Sequence, residues 1–309
     1  MVDDEIAGDP VSGERWVRRS LQQLQRGMSE KKYTLCCETI RRLLLKNDIR
    51  LKSNVKRLTP KAHPDRDLQF RYIQFQKATF DSAGYPRISV DSKKKELIGP
   101  FYNNGQVWCE KGTEVNTHDF PGDATGKATP YGIYDERHNM GFVYVGQSAD
   151  TGEFAVDCIV RWWEEIGCYH YPKDVPELLI FADGGGSNGY RPRLWRQQLQ
   201  EKLVDAFNIA VTVCHYPSGA SKWNPIEHRL FSEISKTWAG TPLTSYEVML
   251  EGIRNTKTRT GLQVQATLIE KKYEKGKKVN DEDMAALAIK RHSICPMWNY
   301  TIKPRKNGK

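Results

Sequence analysis

Apolar positions at helical spacing mark two segments near the start of the chain, residues 14–26 and 34–46, with a short polar turn between them. Thr34 is placed to cap the second helix, and Arg41 and Arg42 fall on its polar side. Two short helices, the second of them basic, are typical of a helix-turn-helix that contacts DNA. An ordinary helical hairpin gives the same pattern, and the spacing alone favours neither.

After residue 86 the pattern changes to short apolar strands that alternate with helices. In chain order the sequence predicts strands over 87–99, 131–134 and 142–145, a helix over 152–167, a strand over 177–182, a helix over 193–207, a strand over 209–214 and a helix over 225–238. This is the element order of the ribonuclease H-like fold. The predicted fold class is therefore α/β, a mixed five-stranded sheet flanked by helices.

Changes in pattern also predict the domain organisation. Residues 1–62 are interpreted as the helix-turn-helix-like segment with a basic linker, and residues 63–241 as the ribonuclease H-like domain, which opens with an amphipathic helix. Residues 242–309 carry two helical patterns, one alternating strand and a lysine-rich turn. We expect them to form a small, basic α+β appendage.

The net charge of +9 is unevenly distributed along the chain. Residues 1–66 hold 15 basic and 9 acidic side chains (+6), and residues 242–309 hold 14 and 7 (+7), which leaves 18 and 22 (−4) for residues 67–241. Basic flanks suit contact with a polyanion, and an acidic middle suits the binding of cations. The same charges are also compatible with merely solvated lysines and arginines.

Composition excludes several classes of protein. No stretch approaches the roughly 20 apolar residues of a membrane helix, and the first residues are acidic, unlike a signal peptide. The seven cysteines include no Cys-x-x-Cys pair that would indicate zinc or a redox centre, so we expect reduced thiols. The predicted location is the cytoplasm, in association with the nucleoid.

Two aspartates stand where predicted strands end. Asp183 follows the apolar run 177–182 and is itself followed by three glycines, which allow close approach of another molecule to the backbone. Asp91 ends the first strand. In the ribonuclease H-like arrangement these two strands are neighbours, roughly 5 Å apart. The sequence therefore predicts that the two carboxylates meet at one edge of the sheet.

Glu227 is the third carboxylate of the predicted site. Asn224 is a good N-cap and Pro225 suits the first helical position, and apolar residues follow Glu227 at +3, +4, +7 and +11. This spacing turns Glu227 toward the core, whereas Glu233 should face solvent. A carboxylate on a buried face is costly unless it is paired, protonated or bound to a cation.

Three carboxylates without histidine or thiolate partners suit Mg²⁺ or Mn²⁺ rather than zinc. Two such ions about 3.5–4 Å apart support in-line attack on a phosphodiester. In this interpretation Asp91 bridges both ions, and Asp183 and Glu227 hold one each. Two competing interpretations have weaker support: the glycines lack the Gly-Lys-Ser/Thr of a P-loop, and Ser187 with His215 lacks the Gly-x-Ser-x-Gly elbow of a hydrolase.

Several motifs in order resemble one known family. They are Ile88-Ser-Val-Asp-Ser-Lys-Lys-Lys-Glu-Leu-Ile-Gly, Val115-Asn-Thr-His-Asp-Phe-Pro, Pro130-Tyr-Gly-Ile-Tyr-Asp, Ala182-Asp-Gly-Gly-Gly-Ser-Asn-Gly, Val213-Cys-His-Tyr-Pro and Ser221-Lys-Trp-Asn-Pro-Ile-Glu-His-Arg-Leu-Phe. These motifs are similar to those of the bacterial insertion-sequence transposases of the Rhodopirellula-type DDE family, over about residue 8 to the terminal Trp298-Asn-Tyr-Thr-Ile.

The resemblance implies a metal-dependent DNA transposase that cuts and joins DNA at the terminal inverted repeats of its element. The family's two aspartates and glutamate fall on Asp91, Asp183 and Glu227. Family members usually carry a longer N-terminal region, so we expect part of the DNA-end recognition module to be missing. The alternative function is that of a truncated or catalytically impaired relative, acting as a DNA-binding repressor or inhibitor.

DNA is the expected partner, both as inverted repeats and as target, and synapsis of two ends predicts a homodimer or larger assembly on DNA. The residues predicted to contact phosphates are basic and lie on the polar side of the second predicted helix or in or beside the motifs. They are Arg41, Arg42, Lys93, Lys94, Lys95, Arg191, Arg193, Lys222 and Arg229.

Overall fold

The computed structural model describes residues 6–8, 15–17, 20–51, 63–172, 174–220 and 223–305. The strands are β1 Ile6–Gly8, β2 Arg15–Val17, β3 Arg87–Ser92, β4 Glu96–Ile98, β5 Gly126–Asp135, β6 Met140–Gly146, β7 Glu177–Ala182, β8 Ala210–His215, β9 Gln263–Ile269, β10 Ile289–Arg291 and β11 Asn299–Ile302. The α-helices are α1 Leu21–Glu30, α2 Cys37–Lys46, α3 Arg66–Ala83, α4 Gly152–Trp162, α5 Cys168–His170, α6 Arg193–Gln198, α7 Asp205–Phe207, α8 Ser232–Thr237, α9 Tyr246–Arg254 and α10 Asp281–Ala285. π-Helical turns extend three of these helices, at Trp163–Gly167, Leu199–Val204 and Glu227–Phe231, and Pro121–Asp123 is a 3-10 turn.

The chain divides into two compact units, residues 1–59 and 60–309. In the first unit, a capping box begins α1: Ser20 Oγ accepts from the Gln23 backbone N–H at 3.2 Å, and Gln23 Oε1 accepts from the Ser20 N–H at 2.8 Å. Gln25 Nε2 donates to the Leu35 carbonyl at 2.9 Å, which ties α1 to the turn before α2. The two helices expected from the apolar spacing are therefore present.

Two local predictions for this unit are wrong. Residues 15–17 form β2, which pairs with β1, so the first helix begins at Leu21 rather than at residue 14. The N-cap of α2 is Cys36 and not Thr34, and the Cys36 thiol contacts the Thr39 hydroxyl at 3.2 Å. Over three or four residues an apolar pattern fits a strand as well as a helix, which explains the first error.

The second unit is built on one mixed sheet with the strand order β10-β11-β8-β7-β3-β5-β6-β9, and β4 pairs with the outer part of β5. In its centre, β3, β7 and β8 are parallel, and β5 is antiparallel to β3 and β6. The central order β8-β7-β3-β5-β6 is that of the ribonuclease H-like fold. The predicted fold class is confirmed, with further strands added at both edges.

Alternate residues of the strands serve two different cores. Phe142 and Tyr144 of β6 belong to the core that contains α4 and α6. Their neighbours Val143 and Val145 belong to the core on the other face, which contains α8 and α9. The sheet is therefore covered by helices on both faces, as the nearly continuous apolar runs predict.

The prediction that residues 242–309 form a separate appendage requires correction. Strand β9 pairs in parallel with β6 over seven residues, and β11 pairs with β8 at the opposite edge. The C-terminal segment therefore belongs to the same compact unit as the rest of the sheet. These pairings join strands that are distant along the chain, so the partners could not be read from local pattern.

All seven cysteines are free; Cys158 and Cys214 are buried, whereas Cys36 and Cys109 are exposed. Among the described residues, no helix is both long enough and apolar enough to cross a bilayer.

Candidate active site

The parallel pairing of β3 with β7 brings two aspartates to the same edge of the sheet. Val90 of β3 is the register partner of Ala182, the last residue of β7. Asp91 follows Val90, and Asp183 follows Ala182. Neighbouring strands lie about 4.8 Å apart, so the two carboxylates are close. The Ser92 backbone N–H donates to Asp91 Oδ1 at 2.8 Å and holds that side chain in place.

Glu227 reaches the same edge because the sheet has a glycine beneath its helix. Gly132 of β5 is the register partner of Asp91. A Cβ atom on Gly132 would lie 2.5 Å from the Phe231 ring and 2.9 Å from Ile226. The helix can thus lie directly on the strand, and its π-helical turn begins at Glu227, which shares a hydrogen bond with Asp91.

Asn224 plays a part that its sequence position did not reveal. The side chain is completely buried, and its Nδ2 donates to Asp183 Oδ1 at 3.2 Å. Its Oδ1 accepts a short hydrogen bond from the hydroxyl of Ser89, two residues before Asp91. Asn224 therefore bridges the two strands and fixes the carboxylate of Asp183. In the sequence, the position of Asn224 three residues before Glu227 indicated only a helix cap.

A buried histidine supports the backbone at Asp183. His215 Nδ1 lies 3.1 Å from the Asp183 carbonyl, and its Nε2 lies 3.4 Å from the Tyr300 hydroxyl, which accepts from Trp195 Nε1 at 3.0 Å. Burial lowers the pKa of His215 to about 4, so the ring is neutral at pH 7. This network assigns the proton to Nδ1, and His215 acts as a neutral support of the strand end.

Burial raises the pKa of all three carboxylates. For Asp91 the negative charges of Asp183 and Glu227 raise the pKa further. For Glu227 the charge of Asp183 adds to burial, whereas for Asp183 the hydrogen bond from Asn224 opposes it. The electrostatic strain among these groups is what a bound cation relieves.

The donor set fits a hard divalent cation. Its oxygens all come from carboxylates, with no thiolate or imidazole ligand among them. Within the described chain, none of Asp91, Asp183 and Glu227 forms an ion pair with a basic side chain. Among the described residues, the charges of His228 and Lys93 lower the pKa of Glu227, but the Lys93 ammonium forms no ion pair with the three carboxylates.

The glycines after Asp183 serve two purposes. Gly186 has φ +74°, a left-handed conformation that favours glycine. A Cβ atom on Gly185 would meet nothing within 4 Å, so the loop is open at that point. Asn188, which follows, is buried with its Oδ1 unpaired among the described residues.

A family model described as Rhodopirellula transposase DDE domain matches residues 1–304. The chain belongs to this family. Family membership makes it a DDE-type transposase, an enzyme of the polynucleotidyl transferase class, as the motifs implied. No curated protein sequence matches the chain.

Solved structures of the Mos1 transposase are similar to the transposase described here. The Mos1 strand transfer complex is 13% identical over 79% of this chain and 71% of that chain, with a TM-score of 0.43. The paired-end complex with left transposon end is 12% identical over 76% and 70%, with a TM-score of 0.40. The pre-cleavage Mos1 transpososome is 12% identical over 74% and 64%, with a TM-score of 0.41.

Some of the basic residues predicted to contact DNA pair with other side chains of the transposase, and others are exposed. Lys93 is mostly buried: its Nζ lies 3.0 Å from Glu96 and 4.8 Å from the centre of the Trp238 ring. Burial raises the pKa of Glu227, and the charges of His228 and Lys93 oppose that shift. Lys94 and Lys95 are exposed.

Arg191 is exposed and stacks over Tyr190 at 5.2 Å. Arg193 is paired with Asp281 at 2.6 Å, so the C-terminal segment engages it. Lys222 lies outside the described residues.

Arg229 is exposed beside a cavity of about 440 Å³ whose lining is strongly basic. The basic side chains of this cavity are His228, Arg229, Lys236, Lys257 and Arg259. Lys257 and Arg259 come from the turn after α9, a region that the sequence motifs did not point to.

In the N-terminal unit, Arg41 and Arg42 both contact Glu38. Arg41 donates to the two Glu38 oxygens at 2.7 and 2.8 Å, and Arg42 Nε donates to Glu38 Oε1 at 3.2 Å. Both arginines remain half or more exposed, so each keeps N–H groups that face solvent.

Proposed function

We propose that this transposase cleaves DNA at the terminal inverted repeats of an insertion sequence and joins the freed ends to target DNA. The observation that carries the proposal is the meeting of Asp91, Asp183 and Glu227 at one sheet edge without a cationic partner among the described residues. Such an arrangement is stable at neutral pH with divalent cations present.

The three carboxylates would hold Mg²⁺ or Mn²⁺, in two ions. Bound there, the ions supply Lewis-acid stabilisation of the attacking and leaving oxygens of a phosphodiester.

The residues of the chain position the reaction. Asn224 and Ser92 fix the two aspartates, and Gly132 fixes the height of Glu227 above the sheet. The open turn at Gly185 leaves room for a DNA backbone next to Asp183.

The proposed DNA contacts are the exposed basic groups around this edge and in the N-terminal unit. Lys94, Lys95 and Arg191 belong to the first set, and the basic cavity at Arg229 adds a further group on the helix that carries Glu227. Arg41 and Arg42 belong to the second, on helices that we interpret as a helix-turn-helix. Two ends must be held together for joining, so the proposed active form on DNA is a dimer or larger.

Strand cleavage of a labelled inverted-repeat duplex with Mg²⁺ or Mn²⁺ tests the proposal. We expect Asp183→Asn to lower the cleavage rate by roughly a thousandfold, about 4 kcal/mol of transition-state stabilisation. Glu165→Gln is the control, because Glu165 is a half-exposed carboxylate that pairs with Arg161 at 2.7 Å. Undiminished cleavage by Asp183→Asn would overturn the site assignment.

The same assay separates the proposal from the alternative function of a repressor. Salt-dependent binding of inverted-repeat DNA without cleavage under either metal would favour the repressor. For the DNA contacts, we expect Arg41→Ala and Arg42→Ala each to reduce the slope of log affinity against log salt by about one.

A further inference from the structure

A second cluster of metal-ligating side chains lies outside the acidic site. Asp135 is the last residue of β5, His138 lies in the turn between β5 and β6, and His170 is the last residue of α5. One ligand atom from each of the three lies within 4.8 Å of the other two. The rings of His138 and His170 are 4.9 Å apart, and His138 Nδ1 is 2.9 Å from Asp135 Oδ2.

This cluster is separate from the proposed catalytic site. Asp135 is the register partner of Ile88, near the start of β3, whereas Gly132 is the partner of Asp91. Three residues along a strand correspond to roughly 10 Å. The two clusters therefore lie toward opposite ends of the same pair of strands.

The carboxylate of Asp135 is held as metal-ligating carboxylates usually are. Its side chain is buried, and the Tyr171 hydroxyl lies 3.0 Å from both of its oxygens. The backbone N–H groups of Arg137 and His138 donate to Oδ1 at 3.0 and 3.2 Å. These contacts orient Oδ2 toward the imidazoles, and such outer contacts are a regular feature of metal sites.

The charges around the cluster leave the carboxylate free to take a cation. Arg87 is the buried cation nearest this end of the strands, and Asp81 and Glu136 neutralise it at 2.6 and 2.5 Å. Lys77 is likewise paired with Glu136, at 2.8 Å. Asp135 is thus not committed to either of these basic groups.

We propose that Asp135, His138 and His170 bind a transition-metal ion of the zinc class. Two imidazole nitrogens and one carboxylate oxygen are a common zinc ligand set, with water completing a tetrahedron. The bound ion would tie the β5–β6 turn to the end of the helix that precedes β7. Its role is to stabilise the scaffold, since the site lies away from the proposed catalytic carboxylates.

The competing explanation is a simple hydrogen bond between Asp135 and His138 that fixes the turn. That pair would need no third ligand, so the contribution of His170 decides between the two. His170 is exposed, and its replacement should leave the fold intact.

Titration of the full chain with Zn²⁺, and with Co²⁺ as a coloured probe, tests the proposal. We expect one Zn²⁺ to bind with an affinity that His170→Ala and His138→Ala each weaken at least roughly tenfold. Bound Co²⁺ should give the intense visible absorption of a four-coordinate site, and both variants should lose it. His118→Ala, at a histidine outside the cluster, is the matched control and should leave the affinity unchanged.

Glu227→Gln separates this site from the catalytic one. It should retain the Zn²⁺ affinity and the Co²⁺ spectrum even though it impairs cleavage. If wild type and His170→Ala bind Zn²⁺ equally, or if Glu227→Gln abolishes the binding, the proposed site is wrong. Neither of those outcomes bears on whether the transposase cleaves DNA.

Discussion

Gly132 lies directly opposite Asp91 in the antiparallel pairing of β3 and β5. Its missing side chain leaves the space that the Phe231 ring occupies, and a Cβ atom there would stand 2.5 Å from that ring. The distance from the sheet to the helix that carries Glu227 is therefore set by a glycine on the strand beside Asp91.

Substitution of this glycine should damage both stability and the site. We expect Gly132→Ala to lower the free energy of unfolding by about 1–3 kcal/mol through overpacking, and to reduce cleavage because Glu227 moves outward. Denaturant unfolding and the inverted-repeat cleavage assay measure the two effects. Gly122→Ala is the control, since a Cβ atom there meets nothing within 4 Å. Equal stability of the two variants would contradict the packing argument.

The acidic site should make stability depend on pH and on divalent cations. Burial, and then the charges of Asp183 and Glu227, raise the pKa of Asp91. The folded state therefore holds the proton of Asp91 more tightly than the unfolded chain does. In the unfolded chain an aspartate ionises at about pH 3.9. This contribution to stability is fully present below that pH and is lost as the pH rises through the raised folded pKa of Asp91.

Asp91→Asn removes this pH-dependent loss. At pH 7 with a chelator we expect a melting temperature higher than that of wild type by roughly 2–4 °C, the shift that about 1 kcal/mol produces in a domain of this size. Mg²⁺ or Mn²⁺ should stabilise wild type and leave the variant nearly unchanged. Differential scanning calorimetry across pH checks both statements, and a variant less stable than wild type at pH 7 would refute them.

Asn224 should act through Asp183. Asn224→Ala leaves the Ser89 hydroxyl and Asp183 without their partner, at a cost of about 1–3 kcal/mol. Since Asp183 is then less well fixed, the Mn²⁺ concentration for half-maximal cleavage should rise by roughly 10–100-fold. Asn103→Ala is the control, because the Asn103 amide also donates two hydrogen bonds, to backbone carbonyls at 3.0 and 3.1 Å, and neither partner is Asp183. If Asn103→Ala raised the Mn²⁺ concentration for half-maximal cleavage by the same factor, the effect would reflect a general loss of stability.

The C-terminal lysines should contribute stability that acid removes. Lys277 lies 2.6 Å and Lys271 3.1 Å from Glu153 on α4, and with Lys202 they lower the pKa of Glu153 to about 2. Because the pKa of Glu153 is lowered from 4.5, its ion pairs stabilise the fold above that pH, and this contribution is lost as the pH falls toward 2.

We therefore expect Glu153→Gln to lower the free energy of unfolding by roughly 1 kcal/mol at pH 7 and low salt. The loss is no larger because solvent screens these partly exposed ion pairs. The difference from wild type should shrink in high salt and in acid. Urea unfolding at several salt concentrations measures it, with Glu114→Gln as the control, since Glu114 and its partner Lys111 are almost fully exposed. A difference that is independent of salt would exclude the ionic explanation.

Much of the fold could be predicted because the decisive elements are strongly apolar. The strand at 177–182 and the end of the helix at Phe207 lie where the sequence predicts them. Strands β10 and β11 were missed, because three- and four-residue strands carry too few positions for a period to show. The helix at 225–237 was found, but not its π-helical turn, which depends on how it packs.

The sequence by itself determined the central strands and helices of the sheet and where Asp91, Asp183 and Glu227 lie within them, since apolar period and strand ends are local properties of the chain. It did not determine that Asn224 would bond to Asp183, that Lys93 would be held by Glu96 or that residues 263–302 would complete the sheet. Those contacts join residues that are distant in sequence or depend on a side-chain rotamer. Only the packed tertiary structure decides them, because many partners satisfy the same local pattern and the choice among them is made by burial and register.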